Sequence, residues 1–222
     1  PVAEAPNSWF VVNRYENSDK KDRFIMQGNL QYDILDNLFI KGSASRDFYS
    51  SESEAIQPTG TAFRPLGSYQ SLKATSSETN YMLTLNYNTT FNDFSLSAMG
   101  GGNIQRNEYD LTTIAGSEFT VPYFYSYTNL NILTTTPLYQ KTGINSLFGS
   151  ADVGYKGLAY LTFTGRQDWF STLSSQNNSI FYPSVGGTVV LSEALHMPKA
   201  VSGLKLRGSW AQVGGATPTA YI

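Results

Sequence analysis

The sequence predicts an all-β fold, an antiparallel meander of about eight long strands. Three observations favour this fold class. Apolar and polar residues alternate with a period of two along most of the 222 residues, which is the strand signal. The polar side of each predicted strand carries mainly Ser, Thr, Asn and Gln rather than Lys and Glu. Short and long connections between the predicted strands also alternate strictly.

Four pairs of strands carry the alternation. In the first pair, Leu30 and Tyr32 share one face, and Gln31 lies on the other. The predicted strands are 23–34 and 38–47, 81–88 and 94–103, 146–155 and 159–166, and 179–191 and 204–213. Their length, roughly 10–12 residues, exceeds the ~5–6 of soluble sheets and fits the ~9–11 that a tilted strand needs to cross a bilayer. A polar face of this kind suits a water-filled lumen, so the pattern indicates an outer-membrane barrel.

The connections support the same interpretation. Short ones are predicted at 35–37, 91–93 and 156–157, with a fairly short one at 192–203 that could hold a helical turn. Long ones are predicted at 49–78 and 107–140, and an intermediate one at 170–178. Outer-membrane barrels combine short periplasmic turns with long extracellular loops. Aromatic residues cluster near the predicted strand ends, as an interfacial girdle requires.

Composition excludes several other classes. Charged residues make up 14% of the chain and its formal net charge is −2, which argues against a nucleic-acid partner. The chain has no cysteine, so disulfides and cysteine metal sites are excluded. No run of 18 apolar residues predicts a transmembrane helix, and no signal peptide is visible. Both ends look cut, and we expect an excerpt of a longer protein.

No residue pattern predicts catalysis, a metal site or a cofactor. The single histidine, His196, lies in a connection, and the Ser-x-x-Lys and Lys-Thr-Gly matches lack the helix that such a nucleophile needs. Two groups are candidate site residues instead. The loop aromatics Tyr123, Phe124, Tyr125 and Tyr127 could contact a ligand or partner, or pack the loop. Arg166 and Asp168, on the polar face, could pair with each other or line a lumen.

The C-terminal third of the chain resembles a known family. The motifs are Gly165–Ser171 followed by Leu173-Ser174-Ser175, Phe181–Val185, Ser192-Glu193 and Leu204–Gly214. They are similar to the "R-x-D-x-S-S", "FYPSVS", "SE" and "LKLR-x-S-W-x-x-x-G" segments of the SusC/RagA-like, TonB-dependent outer-membrane transporters of Bacteroidetes. The resemblance covers residues 143–215. Elsewhere it depends on strand pattern and loop style.

The resemblance implies a 22-stranded transmembrane β-barrel closed by a plug. Residues 1–222 would form an internal portion of that barrel, without the plug or the barrel C-terminus. It also implies import of oligosaccharides or peptides across the bacterial outer membrane, without enzymatic activity or cofactor. The implied partners are a SusD-like surface lipoprotein, the TonB-ExbB-ExbD complex and the surrounding outer-membrane lipid.

Two alternatives remain at this point. One is a complete eight-stranded barrel with a structural or adhesion role, since eight strands suffice to close a barrel. The other is a soluble β-sandwich that binds glycans, for which shorter strands and more charge would be expected. Enzymatic function is a more distant hypothesis.

Overall fold

The computed structural model describes residues 7–195 and 203–216. Within these residues, eight strands form one sheet in the order of the sequence, from β1 to β8. The strands are β1 Glu16–Leu35, β2 Leu38–Gln57, β3 Ser68–Phe91, β4 Phe94–Phe119, β5 Leu130–Tyr155, β6 Ala159–Phe170, β7 Ser179–Val190 and β8 Lys205–Ala211. The predicted meander is therefore confirmed. Within the described residues, β1 and β8 stand at the two ends of the strand order of this one sheet.

Two short α-helices accompany the strands. Helix α1 spans Ser8–Arg14 and begins at Asn7, whose side chain accepts a hydrogen bond from the Trp9 backbone N–H. The sequence analysis missed it because seven residues are too few to show helical periodicity. Helix α2 spans Leu191–Ala194, at the start of the connection where a helical turn was predicted. His196 lies outside the described residues.

The predicted strand lengths were wrong for β1 to β5. These strands have 20, 20, 24, 26 and 26 residues, whereas β6 and β7 have the expected 12 and β8 has seven. The long strands continue past the apolar alternation because backbone hydrogen bonding between strands does not depend on which side chains alternate. The predicted long loops therefore shrink to 58–67 and 120–129. Short and long connections still alternate from 36–37 to 171–178.

The chain divides into two compact units, each described by itself. Unit 1 comprises Pro1–Ile25, Asp47–Glu78 and Asn107–Lys141, and unit 2 comprises Met26–Arg46, Thr79–Arg106 and Thr142–Ile222. Unit 1 contains a small apolar core of Ile56, Tyr69 and Phe119, with Tyr125 and Leu130 packed against it. Unit 2 contains the predicted turns of β3–β4 and β5–β6. At the second of these, Lys156 and Gly157 adopt left-handed backbone angles of 51° and 71° in φ, as a tight hairpin turn requires.

Candidate functional site

The register of β5 to β8 separates polar from apolar side chains. Val153 pairs with Leu161, and Phe163 pairs with both Ala151 and Val185. Farther along the sheet, Val185 pairs with Trp210 and Val189 with Leu206. The opposite face is built from these pairs: Ser150–Thr164, Asp152–Thr162, Thr164–Ser184, Gly186–Ser209 and Thr188–Arg207. Directly paired residues point to the same side of a sheet, so each face is continuous over four strands.

This register follows from a three-residue turn. The apolar residues of β5 and of β6 both have odd numbers. The two apolar rows therefore share a face only when odd-numbered residues of β5 pair with odd-numbered residues of β6. The turn 156–158 gives this register, because Tyr155 pairs with Ala159. The sequence analysis predicted a two-residue turn at Lys156-Gly157, which would have placed the two apolar rows on opposite faces. The alternation itself was therefore the signal for the longer turn.

Arg166 and Asp168 lie on the polar face of unit 2 and contact each other. The Arg166 Nε donates to Asp168 Oδ1 at 2.7 Å, and an Nη donates to Ser146 Oγ at 2.9 Å. Asp168 pairs with Ser146 across the ladder, and Arg166 pairs with Phe148, whose ring centroid lies 5.9 Å from the guanidinium carbon. Asp168 is 6% exposed and Ser146 is 3% exposed. The arrangement is a fixed ion pair with a buried carboxylate, and its guanidinium remains half-exposed.

The sequence analysis did not find Ser146 and Phe148. They lie some twenty residues before Arg166, and only the pairing of β5 with β6 brings them to the ion pair. The same face continues into β3 and β4, where a Cβ on Gly101 would lie 2.8 Å from the Thr84 methyl and 3.2 Å from the Phe148 ring. Gly101 therefore lets these side chains pack closely on the polar face.

The apolar face of unit 2 is exposed to its surroundings. Its large side chains include Leu30, Tyr32, Leu83, Leu85, Leu147, Phe163, Val185, Leu206 and Trp210, each more than a third exposed. An exposed apolar surface of this extent is unusual for a soluble protein. Together with a polar opposite face, it is the pattern of strands whose outer side faces lipid.

The four loop aromatics do not share one environment. They belong to unit 1, in the connection that leads into the 3-10 turn Tyr127–Asn129. Tyr125 packs on Phe119, with ring centroids 5.2 Å apart, so it belongs to the small core. Tyr123, Phe124 and Tyr127 are exposed. The Asn129 side chain holds the loop by donating to the carbonyls of Val121 and Phe124 at 2.8 and 2.6 Å.

Exposed rings in this loop have a cationic neighbour. The Arg14 guanidinium carbon lies 5.9 Å from the centre of the Tyr123 ring. The rings and their hydroxyls offer apolar faces beside polar groups, which is the chemistry of sugar and peptide contacts. Tyr123, Phe124 and Tyr127 are therefore the exposed members of the predicted group.

Other site types find no support in the described part of the chain. Across residues 7–195 and 203–216, no group of three His, Cys, Asp or Glu side chains could hold a metal ion. In the same residues, no helix has the length and hydropathy needed to cross a membrane.

Comparison with known proteins gives one curated relative. The chain is 25% identical over 227 aligned residues to the TonB-dependent receptor P3 of Formosa agariphila, and the match covers 97% of this chain and 22% of the relative. The chain thus spans about a fifth of that receptor's length. No family model matches the chain.

Solved structures give the same fold. A chain in the structure of the RagAB peptide transporter superimposes with a TM-score of 0.84 at 19% identity, covering 91% of this chain and 23% of that one. The "open-open" state of the RagAB peptide importer gives a TM-score of 0.82. The siderophore receptor PiuA of Acinetobacter baumannii gives 0.50 over 77% of the chain, at 14% identity.

These matches confirm the predicted resemblance and remove the alternatives of a complete small barrel and a soluble sandwich. The matched family acts in transport rather than catalysis, as the sequence analysis expected. The lipid-facing pattern of unit 2 now has a location as well. The chain corresponds to part of the β-barrel of TonB-dependent receptors, which lie in the bacterial outer membrane, and its fold is that of the SusC/RagA-like barrels.

Proposed function

We propose that the receptor containing this chain imports a large nutrient, a peptide or an oligosaccharide, through the barrel. The observation that carries the proposal is the fold match to the RagAB peptide transporter over 91% of the chain. That structure is of a peptide transporter, which favours a peptide as the substrate. An oligosaccharide is the second candidate, because exposed loop aromatics also suit sugar rings.

The polar face of unit 2 supports passage of such a substrate. Its hydroxyl and amide groups offer hydrogen bonds with little net charge, and the Arg166–Asp168 pair neutralises its own charges. A lining of this kind holds water and exchanges hydrogen bonds with peptide or sugar groups at small cost. We propose that Arg166 and Asp168 face the lumen and fix the shape of its wall.

We further propose partners at both sides of the membrane. A SusD-like lipoprotein would cover the extracellular loops, and Tyr123, Phe124 and Tyr127 would contact it or the ligand. TonB, ExbB and ExbD would supply energy through parts of the receptor other than residues 1–222. Within this proposal the chain is an internal portion of the barrel, and a plug belongs to another part of the same receptor.

The proposal is tested by uptake in a strain that lacks the receptor gene. Complementation with the full-length receptor should restore growth on a peptide mixture as nitrogen source, and loss of TonB should abolish that growth. Restored growth on oligosaccharides but not on peptides would favour the second candidate. Equal growth of deleted and complemented strains on both sources would contradict import of either substrate.

The loop aromatics are tested in the same strain. The double variant Tyr123→Ala/Phe124→Ala should lower uptake or weaken co-purification with the lipoprotein, since these rings are exposed and contribute little to folding. Phe63→Ala is the matched control, because Phe63 is also an exposed loop ring of unit 1. An unchanged double variant would remove the loop rings from the proposed contact.

A further inference from the structure

A groove crosses the apolar face of unit 2. It encloses about 1110 Å³ and receives residues from β1 to β6. Glycines leave its floor open: Gly28, Gly42, Gly100 and Gly102 stand where neighbouring positions carry large side chains. Leu30, Tyr81, Leu83 and Leu147 form its walls. The groove is therefore largely apolar and lies on a surface that faces lipid.

The floor is open rather than filled from below. A Cβ built on Gly28 or on Gly100 would meet no atom within 4 Å, and one on Gly42 or on Gly102 would make only ordinary contacts at 3.4–3.8 Å. This contrasts with Gly101 on the other face, where a Cβ would lie 2.5 Å from the Leu83 carbonyl oxygen. Close packing therefore does not require glycine at these positions, and the missing side chains form the open space of the groove.

A cationic residue stands at one end of the groove. Arg106 follows Ile104 in the alternation of β4 and also lines the groove. Its guanidinium donates to the carbonyls of Gln105 at 2.7 Å and Ile144 at 3.4 Å, and to Asn145 Oδ1 at 2.8 Å. A guanidinium has five N–H donors, more than these three contacts use, and its planar fork matches a phosphate.

The surroundings of Arg106 mark the edge of the apolar band. Trp169 also lines this part of the groove, and tryptophan is enriched at the level of lipid headgroups. Arg46 follows Ala44 in the alternation of β2 and is exposed. Apolar walls beside a guanidinium offer what the two parts of an anionic lipid need, an apolar surface for its acyl chain and N–H donors for its phosphate.

We propose that the groove holds an acyl chain of an anionic, phosphate-bearing membrane lipid, with the phosphate on Arg106. The charge of Arg106 at the end of the apolar groove selects this occupant over a neutral lipid. The glycine floor lets the chain lie against the strands, where each buried CH₂ group adds favourable transfer free energy. The inference depends on the outer-membrane location and not on the transported substrate.

Native mass spectrometry of the full-length receptor in detergent tests the groove. The probe is phosphatidylglycerol, compared with a diacylglycerol that has the same chains and no phosphate. The wild type should retain one more phosphatidylglycerol than the double variant Gly28→Leu/Gly100→Leu, which fills the floor. Gly208→Leu is the matched control, because a Cβ at Gly208 also meets no atom within 4 Å and Gly208 lies on the same face outside the groove.

Arg106→Gln tests the headgroup. Loss of a charge-assisted hydrogen bond should weaken phosphatidylglycerol retention about tenfold and leave diacylglycerol retention unchanged. Heat-modified electrophoretic mobility verifies that each barrel is folded, and Arg106→Gln keeps the test decisive should the double-leucine variant fail to fold.

Three outcomes would overturn the proposal. The first is equal lipid retention by wild type and the folded double-leucine variant. The second is an equal loss of both lipids in Arg106→Gln. The third is a wild-type dimer that dissociates when the groove is filled, which would make a second copy of the receptor the occupant.

Discussion

Unit 1 contains a cluster of buried apolar side chains, whereas the apolar rows of unit 2 consist of exposed side chains. In unit 1, Ile56, Tyr69 and Phe119 are buried together, and ion pairs such as Lys73–Glu52 and Lys20–Asp22 are exposed. In unit 2, Thr84, Ser146 and Asp168 are buried, and large apolar side chains are exposed. Each of the strands β1 to β5 has residues in both units. One part of such a strand therefore belongs to the unit with the buried cluster and the other part to the unit with the exposed apolar rows.

The difference shows which solvent each unit meets. Water favours the burial of apolar groups, and the buried cluster of unit 1 follows that rule. In lipid, exposure costs an apolar side chain nothing, and it costs a polar or charged side chain free energy. The apolar face of unit 2 follows this second rule. Four predictions examine this contrast, from the largest expected effect to the smallest.

The first prediction concerns the core of unit 1. Phe119 is 2% exposed, so Phe119→Ala should destabilise the unit by about 3–5 kcal/mol through lost burial and a cavity. Hydrogen exchange of the full-length receptor should show faster exchange at 58–67 and 120–129 and unchanged protection in unit 2. Phe124→Ala, which removes an exposed ring, should change stability by less than about 0.5 kcal/mol. Equal effects of the two variants would show that unit 1 has no conventional core.

The second prediction compares two leucines of equal exposure. Leu85 in unit 2 and Leu133 in unit 1 are both 48% exposed. Leu85→Arg should cost about 2–4 kcal/mol because it places a charge on the lipid face, and Leu133→Arg less than about 0.5 kcal/mol because water surrounds it. Equilibrium unfolding of the receptor in lipid vesicles measures both. A small cost for Leu85→Arg would mean that this face does not meet lipid.

The third prediction concerns the buried carboxylate of unit 2. Asp168→Ala removes the acceptor of Arg166 Nε and should cost about 1–3 kcal/mol. Asp152→Ala, at an exposed aspartate that accepts from the Thr162 hydroxyl, should cost less, about 1 kcal/mol. Unfolding in vesicles provides the comparison. If Asp168→Ala were neutral while Arg166→Ala destabilised, the guanidinium would depend on Ser146 rather than on Asp168.

The fourth prediction is a pH effect confined to unit 1. Burial, reinforced by its hydrogen bond to Glu54, raises the pKa of Tyr69 to about 12. An unfolded tyrosine ionises near pH 10, so the stability from Tyr69 is complete below about pH 10. Between about pH 10 and pH 12 the unfolded tyrosine ionises and the folded one does not, so this stability falls as pH rises and is lost above about 12. Protease sensitivity of unit 1 should rise over this interval, and Tyr69→Phe should abolish the rise attributable to this group.

The alternation of side chains predicted much of the fold. The short turns predicted at 35–37 and 91–93 lie at 36–37 and 92–93, and the order of the strands and the faces of β5, β6 and β8 agree with the structure. These features are local, because they depend on residues adjacent in sequence. Examples are the two-residue period of a strand and a turn residue such as Asn92, which has a φ of 51°. The resemblance in residues 143–215 then supplied the family.

The ends of β1 to β5 could not be predicted in the same way. The segment 107–119 carries no continuous apolar row, so the sequence analysis interpreted it as loop. In the structure it pairs as part of β4, and the residues of unit 1 are joined by contacts such as Arg23 with Asp47. These contacts link positions far apart in sequence, and they are visible only once the strands are aligned.

The sequence by itself determined the all-β class, the alternation along the strands and the approximate positions of the tight turns, because each follows from neighbouring residues. The tertiary structure decided how far the strands extend, which of the loop aromatics are exposed, and which side chains surround Arg166 and Asp168. It also placed four separate glycines in one groove beside Arg106. The physical reason is that pairing between strands sets these distances, and a residue's partner across a strand is chosen by register rather than by sequence proximity.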